Sequence, residues 1–187
     1  MSTTSASSAT PALGSALRRL YFIRFAFAIV WALILLLTMP AVGGALLVLV
    51  VLYPLVDAAA VLWQLRSEGP AQASRVPEWI NVIVSVVAAI ALGWAATNSI
   101  PAVIATWGIW AVVSGLVQLL AASLRRRSGG QVPLIVSGAI SIIAGLGFAV
   151  SSHGTTSAAG AGGYAILGGV FFLIAAIRLS VLLRRAA

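Results

Sequence analysis

Eleven arginines, three acids (Asp57, Glu68 and Glu78) and one histidine, His153, are the whole stock of charged or readily titrated side chains in this 187-residue chain. There is no Lys and no Cys. The missing Cys excludes disulfides, thiol nucleophiles and thiolate-bound metals. A metal centre needs three or four convergent ligands, and the candidates here fall on different apolar segments and toward opposite ends of them. A serine nucleophile needs a base. Ser151 and Ser152 precede His153, but no acid lies on that side to orient its ring. The inventory points away from an enzyme, a metal site or a bound cofactor.

Two charged residues stand inside apolar runs, where an ionised group is costly and usually has a partner. Asp57 lies nine residues before Arg66, roughly 13 Å from that helix end at 1.5 Å per residue. Arg178 lies six before Arg184, roughly 9 Å deep by the same rise. Laying the sixth apolar segment on the fourth sets Arg178 opposite Gln118, one turn from Ser114. Ser114 in turn matches Asp57 in the second. If the even segments face one axis, Asp57, Ser114, Gln118 and Arg178 form one polar cluster. Pairing of Asp57 with Arg178 lowers insertion cost and fixes register; a proton- or ion-responsive site is the sharper alternative, and Arg178 snorkelling to the headgroups is the third. Arg24, five residues past Arg19, is expected to snorkel to the headgroups. His153 is the one titratable side chain expected on the far side. Its protonation would add charge there, as an acid sensor requires, although a solvated loop histidine is the plainer reading. The run Gly154 to Gly163 lacks the Walker lysine and the GxGxxG spacing, so it reads as a flexible turn.

The elements that carry these residues are apolar throughout. The composition is 61% hydrophobic and 7% charged, with mean hydropathy +1.13, outside the range of soluble domains. Residues 1–16 read as a disordered polar tail. Residues 17–187 form one domain with spans at about 20–39, 43–65, 79–96, 101–122, 132–151 and 163–183, each long enough to cross roughly 30 Å of hydrocarbon. The first is too long for the apolar core of a secretory signal, despite Arg18 and Arg19 before it, and is expected to be retained.

Loops one, three and five hold no charge. The flanks and loops on the other side hold Arg18, Arg19, Arg66, Arg75, Arg125, Arg126, Arg127, Arg184 and Arg185. The positive-inside rule therefore predicts an all-α bundle of six transmembrane helices with both termini in the cytoplasm, in a bacterial inner membrane. A net charge of +8 placed in short loops serves topology and anionic headgroups, not nucleic acid. Trp79, Trp94, Trp107 and Tyr164 near span ends read as an aromatic belt.

Three repeated hairpins are also visible. Pro40-Ala41-Val42 and Pro101-Ala102-Val103 each open an even helix, and Leu92-Gly93-Trp94 matches Leu146-Gly147-Phe148. Small residues recur every four positions at Ser137, Ser141 and Gly145, and at Ala161, Ala165 and Gly169. Such faces permit close helix contact, within the monomer or in a homo-oligomer or membrane-protein complex. On the proline turns, the central Gly115 of the fourth helix, and Gly138 with Gly145, the chain over residues 18–185 resembles the HdeD-like family of small six-helix bacterial inner-membrane proteins. It departs from that pattern in the first hairpin, at Phe25, Ala26 and Asp57. The resemblance implies a stress role, acid resistance, without an established mechanism. The alternatives are a small proton or solute transporter or channel, and an accessory subunit of another membrane complex.

Overall fold

The computed structural model describes residues 9–67, 75–124 and 132–185. Six helices follow in order: α1 (Ala9–Thr38), α2 (Gly44–Ser67), α3 (Val76–Ala96), α4 (Ile100–Leu124), α5 (Val132–Ser151) and α6 (Ala159–Arg185). A single 3₁₀ turn, Ser152–Gly154, stands between α5 and α6. All six helices are long and apolar enough to span a membrane, and the chain is a polytopic integral membrane protein. Helices are required here because hydrocarbon offers backbone groups no other hydrogen-bond partners.

Two expectations change at the helix starts. Residues 9–16, expected in the tail, lie in α1, which begins at Ala9. Its early Pro11 is tolerated because an amide in the first turn has no helical acceptor. Gly160, Gly162 and Gly163 were read as turn but lie in the first turns of α6. Ser157 fixes that start, its Oγ accepting the Ala159 amide at 3.1 Å, as Ser99 Oγ accepts the Ala102 amide at 3.2 Å ahead of α4. Between α1 and α2 the chain turns through Gly43, whose φ of 140° suits glycine, and the Gly43 amide donates to the Ala96 carbonyl at 3.2 Å.

The helices stand in a ring in chain order, with α6 closing on α1. The closest packing joins α2 to α3, α4 to α5 and α6 to α1, while the hairpin mates α1–α2 and α5–α6 touch less. The sequence repeat is a hairpin, but the tight packing unit is the even helix of one hairpin with the odd helix of the next.

Glycine explains the closest of these contacts. Gly108 and Gly115 of α4 meet Gly145 and Gly138 of α5 in antiparallel register. A Cβ built on Gly145 would sit 2.5 Å from the Gly108 carbonyl oxygen, and one on Gly115 would sit 2.7 Å from that of Gly138. Backbones this close gain van der Waals contact that larger side chains would prevent. On α6, Ala161, Ala165 and Gly169 are buried, and Gly169 approaches the Ala28 methyl of α1. Both small-residue faces are thus used inside the monomer.

At the end away from the arginines, Leu35, Leu46, Leu92 and Val103 are fully buried and close the ring. Beneath them lies a layer of rings. Trp31 and Trp107 stack at 5.2 Å between centroids, and Tyr53 packs on both, at 4.6 and 5.3 Å. Trp110 and Tyr164 meet Trp107 edge-on at 5.3 and 6.5 Å. Trp107 and Tyr164, expected in the interfacial belt, belong to this interior layer; seven residues into α4, Trp107 sits roughly 10 Å below its start. Trp79 and Trp94 are exposed near helix ends, as belt residues are. Pro54 inside α2 cannot donate to the Val50 carbonyl. On the same turn the Trp31 indole Nε1 donates to the Leu49 carbonyl at 2.8 Å.

Candidate functional site

Below the aromatic layer, toward the arginine-bearing end, all six helices enclose a cavity of about 200 Å³. Its inner end is formed by Phe27, Tyr53, Trp110 and Tyr164. Its outer part is formed by Gln64, Glu78, Gln118 and Ala122, which lie in the helix turns nearest the arginine end. Trp31 and Trp107, 2% and 0% exposed, stack between the cavity and the chargeless loops.

One carboxylate organises the polar wall. Asp57 Oδ1 is ion-paired and hydrogen-bonded to the Arg24 guanidinium. Asp57 Oδ2 accepts from Asn81 Nδ2 at 2.9 Å and from Ser85 Oγ at 3.1 Å. Ser85 Oγ in turn accepts the Trp110 indole N–H at 3.2 Å. Helices α1, α2, α3 and α4 thus meet at one part-buried charge pair whose carboxylate accepts three hydrogen bonds, the kind of arrangement in which such a pair is tolerated away from water. The Arg24 guanidinium also lies 4.1 Å from the centroid of the Phe172 ring on α6, and Tyr21 stacks on Phe172 at 6.3 Å. On the far wall the Tyr164 hydroxyl donates to Ser141 Oγ at 2.9 Å. Ser114 Oγ lines the cavity, is buried, and makes no hydrogen bond within the protein.

The expected cluster is therefore partly assembled. Asp57, Ser114 and Gln118 share the cavity. Arg178 does not: it is exposed and outside the lining. Two geometric reasons account for this. From the turns at the opposite end, Asp57 is 13 residues into α2 and Arg178 is 19 into α6, depths of roughly 20 and 28 Å. Around α6, Arg178 is also rotated by roughly 80° from the line through Tyr164, Gly168 and Phe172 that faces the cavity, at 3.6 residues per turn. Arg24, expected to snorkel, takes the place assigned to Arg178. Replacing Arg178 by Gln is accordingly expected to leave stability within about 0.5 kcal/mol of wild type in thermal unfolding, as for a surface site.

His153 is exposed on the 3₁₀ turn at the chargeless end, well away from the cavity. Arg18, Arg19, Arg66, Arg75, Arg184 and Arg185 all lie at the other end of the bundle, and Arg125, Arg126, Arg127 and Glu68 fall outside the described residues. Asn81, Ser85 and Trp110 were not singled out from sequence. No set of three or more metal-ligating side chains converges among the described residues. Compared with known protein families, curated proteins and solved structures, the chain matches none.

Proposed function

We propose that this is a non-enzymatic, stress-associated membrane protein of the HdeD-like kind, built around a polar cavity open from one side. In this reading the arginine-bearing end is cytoplasmic, both termini are cytoplasmic, and the protein sits in a bacterial inner membrane beside anionic headgroups. The observation that carries the reading is the convergence of α1, α2, α3 and α4 on the Arg24–Asp57 pair at the wall of that cavity. A catalytic role would need a base next to a nucleophile. Of the two carboxylates in the cavity lining, Asp57 and Glu78, Asp57 already accepts from Arg24, Asn81 and Ser85.

A second reading, a small-solute transporter, is favoured by one specific feature. The cavity is lined by all six helices and ends blindly on the aromatic layer, as an access path open to one side would. An accessory-subunit role draws less support, because the small-residue faces of α5 and α6 are spent within the monomer.

The stress role is tested by survival of a deletion strain through an acid shift, complemented with wild type, Asp57→Asn or His153→Ala at matched membrane levels. The reading expects loss in the deletion, rescue by wild type and by His153→Ala, and failure of Asp57→Asn. Equal survival of all strains would contradict an acid-stress role.

A further inference from the structure

The geometry points to a small organic cation of the guanidinium or alkylammonium class as the cavity's ligand, bound at Asp57 by displacing the Arg24 side chain. This rests on the reading that the cavity admits a solute, and it adds the chemical class of that solute.

Charge decides first against anions. The lining contains one arginine and two carboxylates, Arg24 against Asp57 and Glu78, so it offers no positive excess to a phosphate or carboxylate. The walls decide next. Tyr21, Phe27, Tyr53, Trp110, Tyr164 and Phe172 present six aromatic rings to about 200 Å³ of space. An electron-rich ring face beside a carboxylate is the arrangement that recognises organic cations. Such a cation is already held there. The Arg24 guanidinium sits between the Asp57 carboxylate and the Phe172 face, at 4.1 Å from the ring centroid. The protein's own side chain therefore marks the cation position and its two walls. An incoming guanidinium can take over the same acceptor and the same ring. The vacated Arg24 lies five residues beyond Arg19, close enough to the arginine-bearing end for its long side chain to reach the headgroups.

Ser114 supplies the second, independent pointer. Its buried Oγ has no partner within the protein and stands on the α4 wall, with Gln118 one turn beyond it. A buried hydroxyl normally finds a partner. A ligand N–H reaching across from Asp57 would provide one. The volume, that of roughly seven waters at about 30 Å³ each, suits a small head with a short chain.

The test uses the full chain in lipid nanodiscs, with methylguanidinium as probe and N-methylurea as its neutral isostere, at constant ionic strength. Thermal unfolding followed by tryptophan fluorescence reads binding. The expected result is a saturable stabilisation by methylguanidinium and none by N-methylurea or inorganic phosphate. Asp57→Asn should abolish it, and Arg24→Gln should bind about tenfold more tightly because the internal competitor is gone. Phe172→Leu leaves the ion pair intact and should weaken binding severalfold. It carries the test should Arg24→Gln fail to fold. Equal response to N-methylurea, unchanged affinity in a folded Arg24→Gln, unchanged affinity in Phe172→Leu, or no saturable response in the folded wild type would each overturn the assignment. None of these outcomes bears on the stress role, which acid survival reads separately.

Discussion

Asp57→Ala is expected to destabilise the protein by roughly 3 kcal/mol, the largest loss from any single polar side chain. Removing one partner of a buried ion pair leaves the other charge unpaired in a low-dielectric setting, at a typical cost of about 3–5 kcal/mol. The Arg24 and Asp57 side chains are 14% and 15% exposed, which places the value near the lower end. Asp57→Ala also strips acceptors from Asn81 and Ser85, and through Ser85 loosens the hold on Trp110. Arg24→Leu and Asp57→Leu, each alone, should cost a similar amount. The Arg24→Leu/Asp57→Leu double variant should cost well under the sum, since an apolar pair of comparable volume leaves no stranded charge. Reversible unfolding in mixed micelles, arranged as a double-mutant cycle, reads the coupling directly. Additive losses would mean that the two residues act independently.

The second large effect is expected at the α4–α5 crossing. Gly145→Leu should destabilise by more than about 3 kcal/mol or abolish folding, and even Gly145→Ala should cost roughly 1–3 kcal/mol through overpacking. The Ala Cβ would stand 2.5 Å from the Gly108 carbonyl oxygen and 2.8 Å from the Val112 amide nitrogen. Both contacts are backbone, so no side-chain rotation relieves them. Gly147, two residues away, has nothing within 4 Å of the same construction, so Gly147→Ala should be neutral or slightly stabilising through helix propensity. The comparison isolates packing from propensity within one helix turn. Thermal inactivation of both variants, followed by size-exclusion chromatography in detergent, provides the check.

The six spans were legible because hydropathy and length alone determine what can cross a bilayer, and, apart from α1, which begins at Ala9 rather than near residue 20, the helix ends fell within a few residues of the apolar boundaries. Three of the four expected cluster residues, Asp57, Ser114 and, one helix turn beyond it, Gln118, share the cavity. Arg178 was misplaced because matching α6 onto α4 fixes neither depth nor rotation. The correct partner had a readable signature. Arg24 lies 14 residues before the end of α1 and Asp57 lies 13 after the start of α2, so across a tight antiparallel turn they stand at nearly equal depth. Asn81 and Ser85 were harder to find, since which neighbour a helix packs against is set by side-chain fit around the whole ring. The aromatic layer was hidden similarly, because Trp107 has the composition of a belt residue and only the inward face of α4 makes it part of the core.

A cavity reached from the arginine-bearing end and stopping at the aromatic layer has a sided accessibility. The natural absence of cysteine makes it testable by single-cysteine accessibility. Ser137→Cys, in the cavity wall, and Ser99→Cys, in the turn before α4, would each be exposed to the small reagent 2-aminoethyl methanethiosulfonate in vesicles of both orientations. A bulky membrane-impermeant maleimide would give the sidedness of Ser99→Cys. Ser137→Cys is expected to react only when the reagent is added on the side bearing Arg184 and Arg185, and Ser99→Cys only from the opposite side. Labelling of Ser137→Cys from the Ser99 side, before any reaction from the arginine side, would contradict it.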